Sequence, residues 1–180
     1  MNAAAPVHAV LGYVSDSDCR ISDRVRAWAP PRWFCLWMVG TTRFGDGWGW
    51  FLVGVLLLGA GGPARRALAA GCLAAAMANA MLVLLKRQVR RPRPCEESPH
   101  PLFHVKPPDA YSFPSGHATN AFAVCTTVAL AFPLLAPPLA LLAASIAASR
   151  VVLGLHYVSD VLAGALIGTA AALGAYLLSC

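Results

Sequence analysis

Apolar stretches separated by clustered arginines, prolines and glycines divide the chain into membrane-length pieces. Five are predicted to be embedded. The first covers about Phe44–Gly61, opened by Gly45-Asp46-Gly47 and anchored by Trp48 and Trp50, whose amphipathic rings suit a membrane interface. The second, Ala67–Leu85, runs nineteen residues without a charge, close to the roughly 20 that cross a hydrocarbon core. The third (about His117–Phe132) and fourth (about Pro138–Ser149) are shorter, with Pro133, Pro137 and Pro138 marking the turn between them. The fifth, Tyr157–Leu178, is apolar apart from Asp160 near its start. A sixth span through Trp33–Gly40 is too short to count. Upstream, Cys19–Trp37 mixes Arg20, Asp23, Arg24, Arg26 and Arg32 with Ile21, Val25, Trp28, Trp33 and Phe34, broken at Pro30-Pro31. That mixture predicts an amphipathic, tryptophan-rich element lying at the membrane surface.

The fold class that follows is all-α: a polytopic membrane helix bundle with about five to six spans. The chain reads as one integral-membrane domain, 1–180, with 1–43 as an N-terminal interfacial region and 44–180 as the transmembrane core. Ala74-Ala75-Ala76 and Gly164-x3-Gly168 are the small residues that let membrane helices approach closely. An up-and-down course brings the end of segment two, the start of three, the end of four and the start of five to one membrane face. The proline-rich stretch Arg87–Phe113, which carries Glu96-Glu97, is too long for a passive turn and is expected to act as a lid or headgroup-facing loop.

Composition sharpens this. Apolar residues make up 58% of the chain and charged residues 12%, against soluble averages of roughly 45–50% and 25%. The net charge of +6 does not mark a nucleic-acid binder. Five of the 14 basic residues fall within Lys86–Arg93, flush against an apolar helix, where they suit anionic headgroups better than a duplex. The six cysteines are scattered with no C-x-x-C pair, so neither a zinc site nor a redox motif is supported. Met1–Val14 has no Lys or Arg and reads as a poor secretory signal.

Three motifs carry the chemistry: Lys86-x6-Arg93-Pro94, Pro114-Ser115-Gly116-His117, and Ser149-Arg150-x5-His156-x3-Asp160. Any one has an ordinary explanation, since membrane helices often end in snorkelling cations and a Pro-Ser-Gly step opens many helices. Together at one face they are a site. Guanidinium forks match phosphate oxygens, and Lys adds a point charge. A phosphoryl group in transfer spreads charge over three oxygens, which Lys86, Arg93 and Arg150 would stabilise. Ser115 and Gly116 open a helix whose first amides point outward as an anion site, and Ser115 can cap that helix or bond a ligand. His117 is placed to protonate a leaving oxygen. His156 and Asp160 stand four apart on one helical face, so a carboxylate can fix the imidazole tautomer and leave the other nitrogen to attack.

These residues resemble, without a gap or substitution, the three-part signature of the type 2 phosphatidic acid phosphatase superfamily, which includes vanadium haloperoxidases and glucose-6-phosphatase. The resemblance covers Lys86–Asp160, and Asp46–Trp50 is similar to short bacterial members. It implies His156 as a nucleophile forming a phosphohistidine, oriented by Asp160. It further implies His117 as the acid, then base, and Lys86, Arg93, Ser115, Gly116 and Arg150 as the phosphoryl-binding set. No cofactor and no divalent metal are implied. The expected substrate is a lipid phosphate or pyrophosphate: undecaprenyl pyrophosphate narrowly first, then phosphatidylglycerol phosphate, phosphatidic acid or lipid A phosphates. The expected location is a bacterial plasma membrane with the active face extracytoplasmic. The alternatives are a non-catalytic lipid-phosphate binder or transporter and a vanadate-dependent peroxidase. With His117 protonated and His156 neutral, the rate is expected to follow a bell with histidine-like limbs.

Overall fold

The computed structural model describes residues 4–94 and 109–179, with side chains from residue 14 onward. Cys95, Glu96-Glu97 and most of the expected lid therefore lie outside the described residues. Among the described residues seven α-helices occur: α1 (Ala4–Ala27), α2 (Arg32–Gly45), α3 (Trp48–Ala60), α4 (Gly62–Val89), α5 (Gly116–Ala131), α6 (Ala136–Val152) and α7 (Val158–Ser179), with a 3-10 turn at Pro133–Leu135 before α6. No strand occurs among the described residues.

Local chemistry explains the boundaries that differ from expectation. The interfacial element is two helices rather than one, because Pro30 and Pro31 interrupt the chain between α1 and α2. The short candidate span Trp33–Gly40 lies inside α2, whose 14 residues reach about 21 Å, less than the roughly 30 Å of a hydrocarbon core. Phe44 and Gly45 end α2 instead of opening the first apolar segment. Gly47, at φ 121°, turns the chain before Trp48 starts α3. Arg65 and Arg66 sit inside α4, not in the turn before it. Pro63, the second residue of the helix, suits a first turn whose N–H groups have no intrahelical partner and starts that helix early, and Arg65 Nε donates to Leu58 O across the turn at 3.2 Å.

By length and composition, α4, the Pro133–Val152 unit and α7 are long and apolar enough to cross a membrane, and α3 is a shorter apolar helix. The helices obey the packing logic of a bilayer, where lipid is as apolar as leucine and close approach decides which faces meet. Small residues fill the inside: Ala74, Ala78, Ala123, Ala172 and Ala175 form one buried cluster, while Leu56, Leu134, Leu166 and Leu177 point outward.

α5 packs against α7, and α4 lies against both. α6 covers α5, α2 covers α6, and α3 covers α4. The α5–α7 seam is set by two glycines. A Cβ at Gly164 would lie 2.6 Å from Ser115 O, and one at Gly168 would overlap Thr119 O. This seam fixes the start of α5, with Ser115 and His117, against the start of α7, with Asp160. The predicted convergence of four helix ends is therefore present, and the C-terminal end of α2 joins them as a fifth.

Candidate active site

His156 sits in the short link between α6 and α7. Gly154 (φ 69°) makes the turn, and Leu155 N and His156 N both donate to Arg150 O at 3.0 and 3.1 Å, which ties the histidine to the last turn of α6. The imidazole is 2% exposed. Its Nε2 lies 3.0 Å from Arg93 Nη1. Arginine can only donate, so Nε2 is the acceptor and the neutral ring carries its proton on Nδ1. Nδ1 faces Asp160 Oδ2 at 3.6 Å, within ion-pair reach but too long for a hydrogen bond. Burial pushes the His156 pKa down to about 4; Asp160 opposes that shift, and the charges of Arg93 and Arg150 add to it. The ring is neutral at pH 7, with its lone pair on the nitrogen remote from Asp160, where it accepts from Arg93.

The cations converge beside it. Lys86, in the last turn of α4, donates to Asp109 Oδ1 and Oδ2 at 2.8 and 2.9 Å and to Tyr111 O at 2.9 Å. Arg93 is buried and donates to Asp109 Oδ1 at 2.7 Å, Asp109 O at 2.9 Å and Leu155 O at 2.8 Å. Asp109 thus holds its carboxylate across the two cations where an anion would bind. Burial works against its charge, but Lys86 and Arg93 outweigh that and keep its carboxyl below the ordinary range. Arg150, at the end of α6, is buried and bonds Thr42 Oγ1 on α2.

Ser115 occupies the N-cap position of α5 but makes no capping bond through its side chain. Its Oγ is buried and has no hydrogen-bond partner among the described residues. Of the two roles open to it, the cap is not taken. Its backbone N–H donates to Asp160 O at 3.0 Å, linking α5 to α7. Gly116 and His117 follow, both half-buried. His117 Nε2 is 2.7 Å from Asp46 Oδ1, just past the end of α2, and Gly45 lets that end approach: a Cβ there would lie 2.8 Å from His117 Cδ2.

All eight predicted site residues therefore gather at one end of the bundle. Sequence reasoning missed Thr42, Asp46, Asp109 and Arg91, all of which touch this set, and Asp18, which reaches it only through Arg91 and Ser159. Asp46 had a signal, an acidic residue between glycines at the mouth of an apolar segment. Asp109 stands eight residues before His117, in the loop that also carries Glu96 and Glu97, and has no motif of its own.

Known proteins match this arrangement. Residues 68–179 fit the model of the PAP2 superfamily. Over 138 residues the chain is 41% identical to the decaprenylphosphoryl-5-phosphoribose phosphatase of Mycobacterium tuberculosis, covering 72% of this chain and 71% of that protein. It is 37% identical over 89 residues to the lipid A 1-phosphatase of Rhizobium etli, covering 47% and 38% of the two chains. Two crystal structures share the fold. One is a transmembrane PAP2-type phosphatidylglycerolphosphate phosphatase from Bacillus subtilis, with a TM-score of 0.68 and 24% identity over 93% of this chain and 84% of that one. The other is Aquifex aeolicus LpxE, with a TM-score of 0.73 and 22% identity over 87% of this chain and 92% of that one. The family match runs from early in α4 to the end of α7 and so takes in every residue of the three motifs, which makes this protein a member of the PAP2 superfamily and a membrane lipid phosphatase.

Proposed function

We propose that the enzyme removes the terminal phosphoryl group of a polyprenyl-linked lipid phosphate through a phosphohistidine on His156. The observation that supports this reading is that Arg93 reaches both His156 Nε2 and the Asp109 carboxylate it shares with Lys86, so the cations next to the nucleophile already hold an anion. In the first step Nε2 bonds to phosphorus and the bond to the lipid-side oxygen breaks. His117 gives its proton to that oxygen, and the proton on His156 Nδ1, now on a cationic ring, faces Asp160. Lys86, Arg93, Arg150, Ser115 Oγ and the Gly116 amide hold the three phosphoryl oxygens as charge moves onto them. In the second step His117 takes a proton from water, whose oxygen bonds to phosphorus. The P–N bond breaks, releasing inorganic phosphate and restoring neutral His156.

Within lipid phosphates, the relative that acts on decaprenylphosphoryl-5-phosphoribose supports a polyprenylphosphoryl sugar phosphate as the first candidate. Undecaprenyl pyrophosphate, which shares the polyprenyl tail, comes next, then phosphatidylglycerol phosphate, phosphatidic acid and lipid A. The chain works as one domain in a bacterial plasma membrane. Arg65 and Arg66, at the end of α4 remote from Lys86, favour an extracytoplasmic active face by the positive-inside rule.

The test is phosphate release by detergent-purified protein from each of these lipids with EDTA present. Fastest release from the polyprenyl substrates supports the reading. Release only from phosphatidic acid or lipid A overturns the substrate class, and binding without any release overturns the reaction.

A further inference from the structure

Asp160 is fully buried among apolar helices, and an ionised carboxylate there needs partners. Its Oδ2 accepts from Tyr157 N at 2.9 Å and its Oδ1 from Arg91 Nη1 at 3.0 Å. Arg91 belongs to none of the three motifs. It follows Arg90, whose left-handed backbone (φ 49°) ends α4, and its guanidinium lies 4.0 Å over the Tyr157 ring. Nη1 also donates to Ser159 Oγ at 2.7 Å, and Nη2 donates to Asp18 Oδ2 at 2.9 Å. Asp18 comes from α1, far outside the residues that the family model matches. Its side chain is 5% exposed, accepts from Ser159 N at 3.1 Å and pairs with Ser159 Oγ.

We infer that Asp18 and Arg91 are positioning residues of the phosphatase reaction: the Arg91 guanidinium, clamped by Asp18, aims Asp160 at His156. The inference rests on His156 being the nucleophile, as proposed above. Geometry is the first reason. A planar guanidinium that bridges two carboxylates and is seated over the Tyr157 ring allows neither carboxylate to rotate freely. The Oδ2 left facing His156 Nδ1 is therefore held in the direction it needs. Charge is the second reason. Arg91 alone would cancel the negative charge that Asp160 offers the imidazolium-like ring formed when Nε2 takes the phosphoryl group. Asp18 returns one negative charge, so the Asp18–Arg91–Asp160 triplet carries a net −1 beside the ring. Burial works against the Arg91 charge, but Asp160 and Asp18 outweigh it and hold the guanidinium above its ordinary pKa. This arrangement also gives α1 a task that a surface-lying helix would not have.

The full-length protein in detergent tests this with Asp18→Ala, Asp18→Asn, Arg91→Lys and His156→Ala. The probe is whichever of farnesyl pyrophosphate and dioctanoyl phosphatidic acid the wild type turns over faster. The expected result for Asp18→Ala is a kcat lower by about tenfold to a hundredfold with KM within about twofold, because the donors that hold the phosphoryl oxygens are untouched. Rapid-quench trapping of labelled phosphoenzyme should show the slowed step to be phosphorylation of His156. Asp18→Asn keeps an acceptor for Ser159 and Arg91 but loses the charge, so its kcat should fall between those of wild type and Asp18→Ala. Arg91→Lys, lacking the fork, should lose as much as Asp18→Ala. A structural role alone would lower the melting temperature and the active fraction while leaving kcat per phosphorylatable site unchanged, and that result overturns the inference. If Asp18→Ala does not fold, Asp18→Asn decides: wild-type kcat overturns the inference, and reduced kcat at unchanged melting temperature supports it. His156→Ala separates the two claims. If it still turns over, the nucleophile assignment fails; if it is inactive while both Asp18 variants match wild type, only the positioning role fails.

Discussion

Gly164→Ala adds one methyl group at the seam that positions the phosphoryl site, and its effect can be worked from the contacts. The new Cβ would lie 2.6 Å from Ser115 O, 3.0 Å from Thr119 Oγ1 and 3.2 Å from Ala118 Cβ, whereas ordinary contact begins at 3.4 Å. Backbone cannot swing aside as a side chain can, so α5 and α7 must part by roughly 0.8 Å at Ser115, the shortfall from ordinary contact. That movement shifts Ser115 Oγ and stretches the 3.0 Å bond from Ser115 N to Asp160 O. Overpacking of this kind costs about 1–3 kcal/mol of stability. A misplacement near 1 Å in an active site costs about a hundredfold in rate. The expected outcome is kcat/KM lower by about ten- to a hundredfold, with a lower melting temperature, measured as phosphate release and thermal unfolding in detergent. Gly59→Ala is the control, because nothing lies within 4 Å of its Cβ and it should match wild type in both measurements. Near-wild-type activity in Gly164→Ala, or equal damage from Gly59→Ala, would refute the seam argument.

Three further outcomes follow from the site. Asp109→Asn removes the anion that substrate must displace from Lys86 and Arg93. At 43% exposure the pairing is worth about 1 kcal/mol, so KM should fall about fivefold with kcat unchanged, and a KM that holds or rises contradicts the displacement. Ser115→Ala should leave the melting temperature unchanged, since Oγ bonds nothing among the described residues, yet lower kcat/KM by roughly ten- to a hundredfold for a lost bond to a charged oxygen. Finally, the histidine-like acid limb expected from the sequence should move. His156 stays neutral until about pH 4, so after correction for the substrate's own ionisation near pH 6, kcat/KM should hold down to about pH 5. A limb near the ordinary histidine value of about 6.5 would show that burial does not act on this ring.

Much of the site was legible because its motifs are local. The His156–Asp160 spacing, the Ser115-Gly116-His117 helix start and the Lys86–Arg93 run each lie within a few residues of the chain. The membrane segments were legible for the same reason, and Gly164-x3-Gly168 proved to be the seam between α5 and α7. The contacts that hold the motifs were not legible. Asp46 meets His117, Thr42 meets Arg150 and Asp18 meets Arg91 only because α1 and α2 fold back over the core, and a single Asp or Thr in an amphipathic stretch carries no periodic mark of a partner so far along the chain. Helix limits failed where one residue outweighed composition: Gly47 delayed α3, and Pro63 brought Arg65 and Arg66 into α4.

Trapping the covalent adduct decides whether His156 carries the phosphoryl group. Purified enzyme would be mixed with a lipid labelled in its terminal phosphate, quenched in alkali, digested and mapped by mass. The expected product is an acid-labile, alkali-stable phosphate on His156 that is absent in His156→Ala. It should accumulate in His117→Ala when the leaving group is good enough to depart without a proton, because water then lacks its base. Phosphate release with no label on any histidine, or label on His117 in place of His156, would contradict the account.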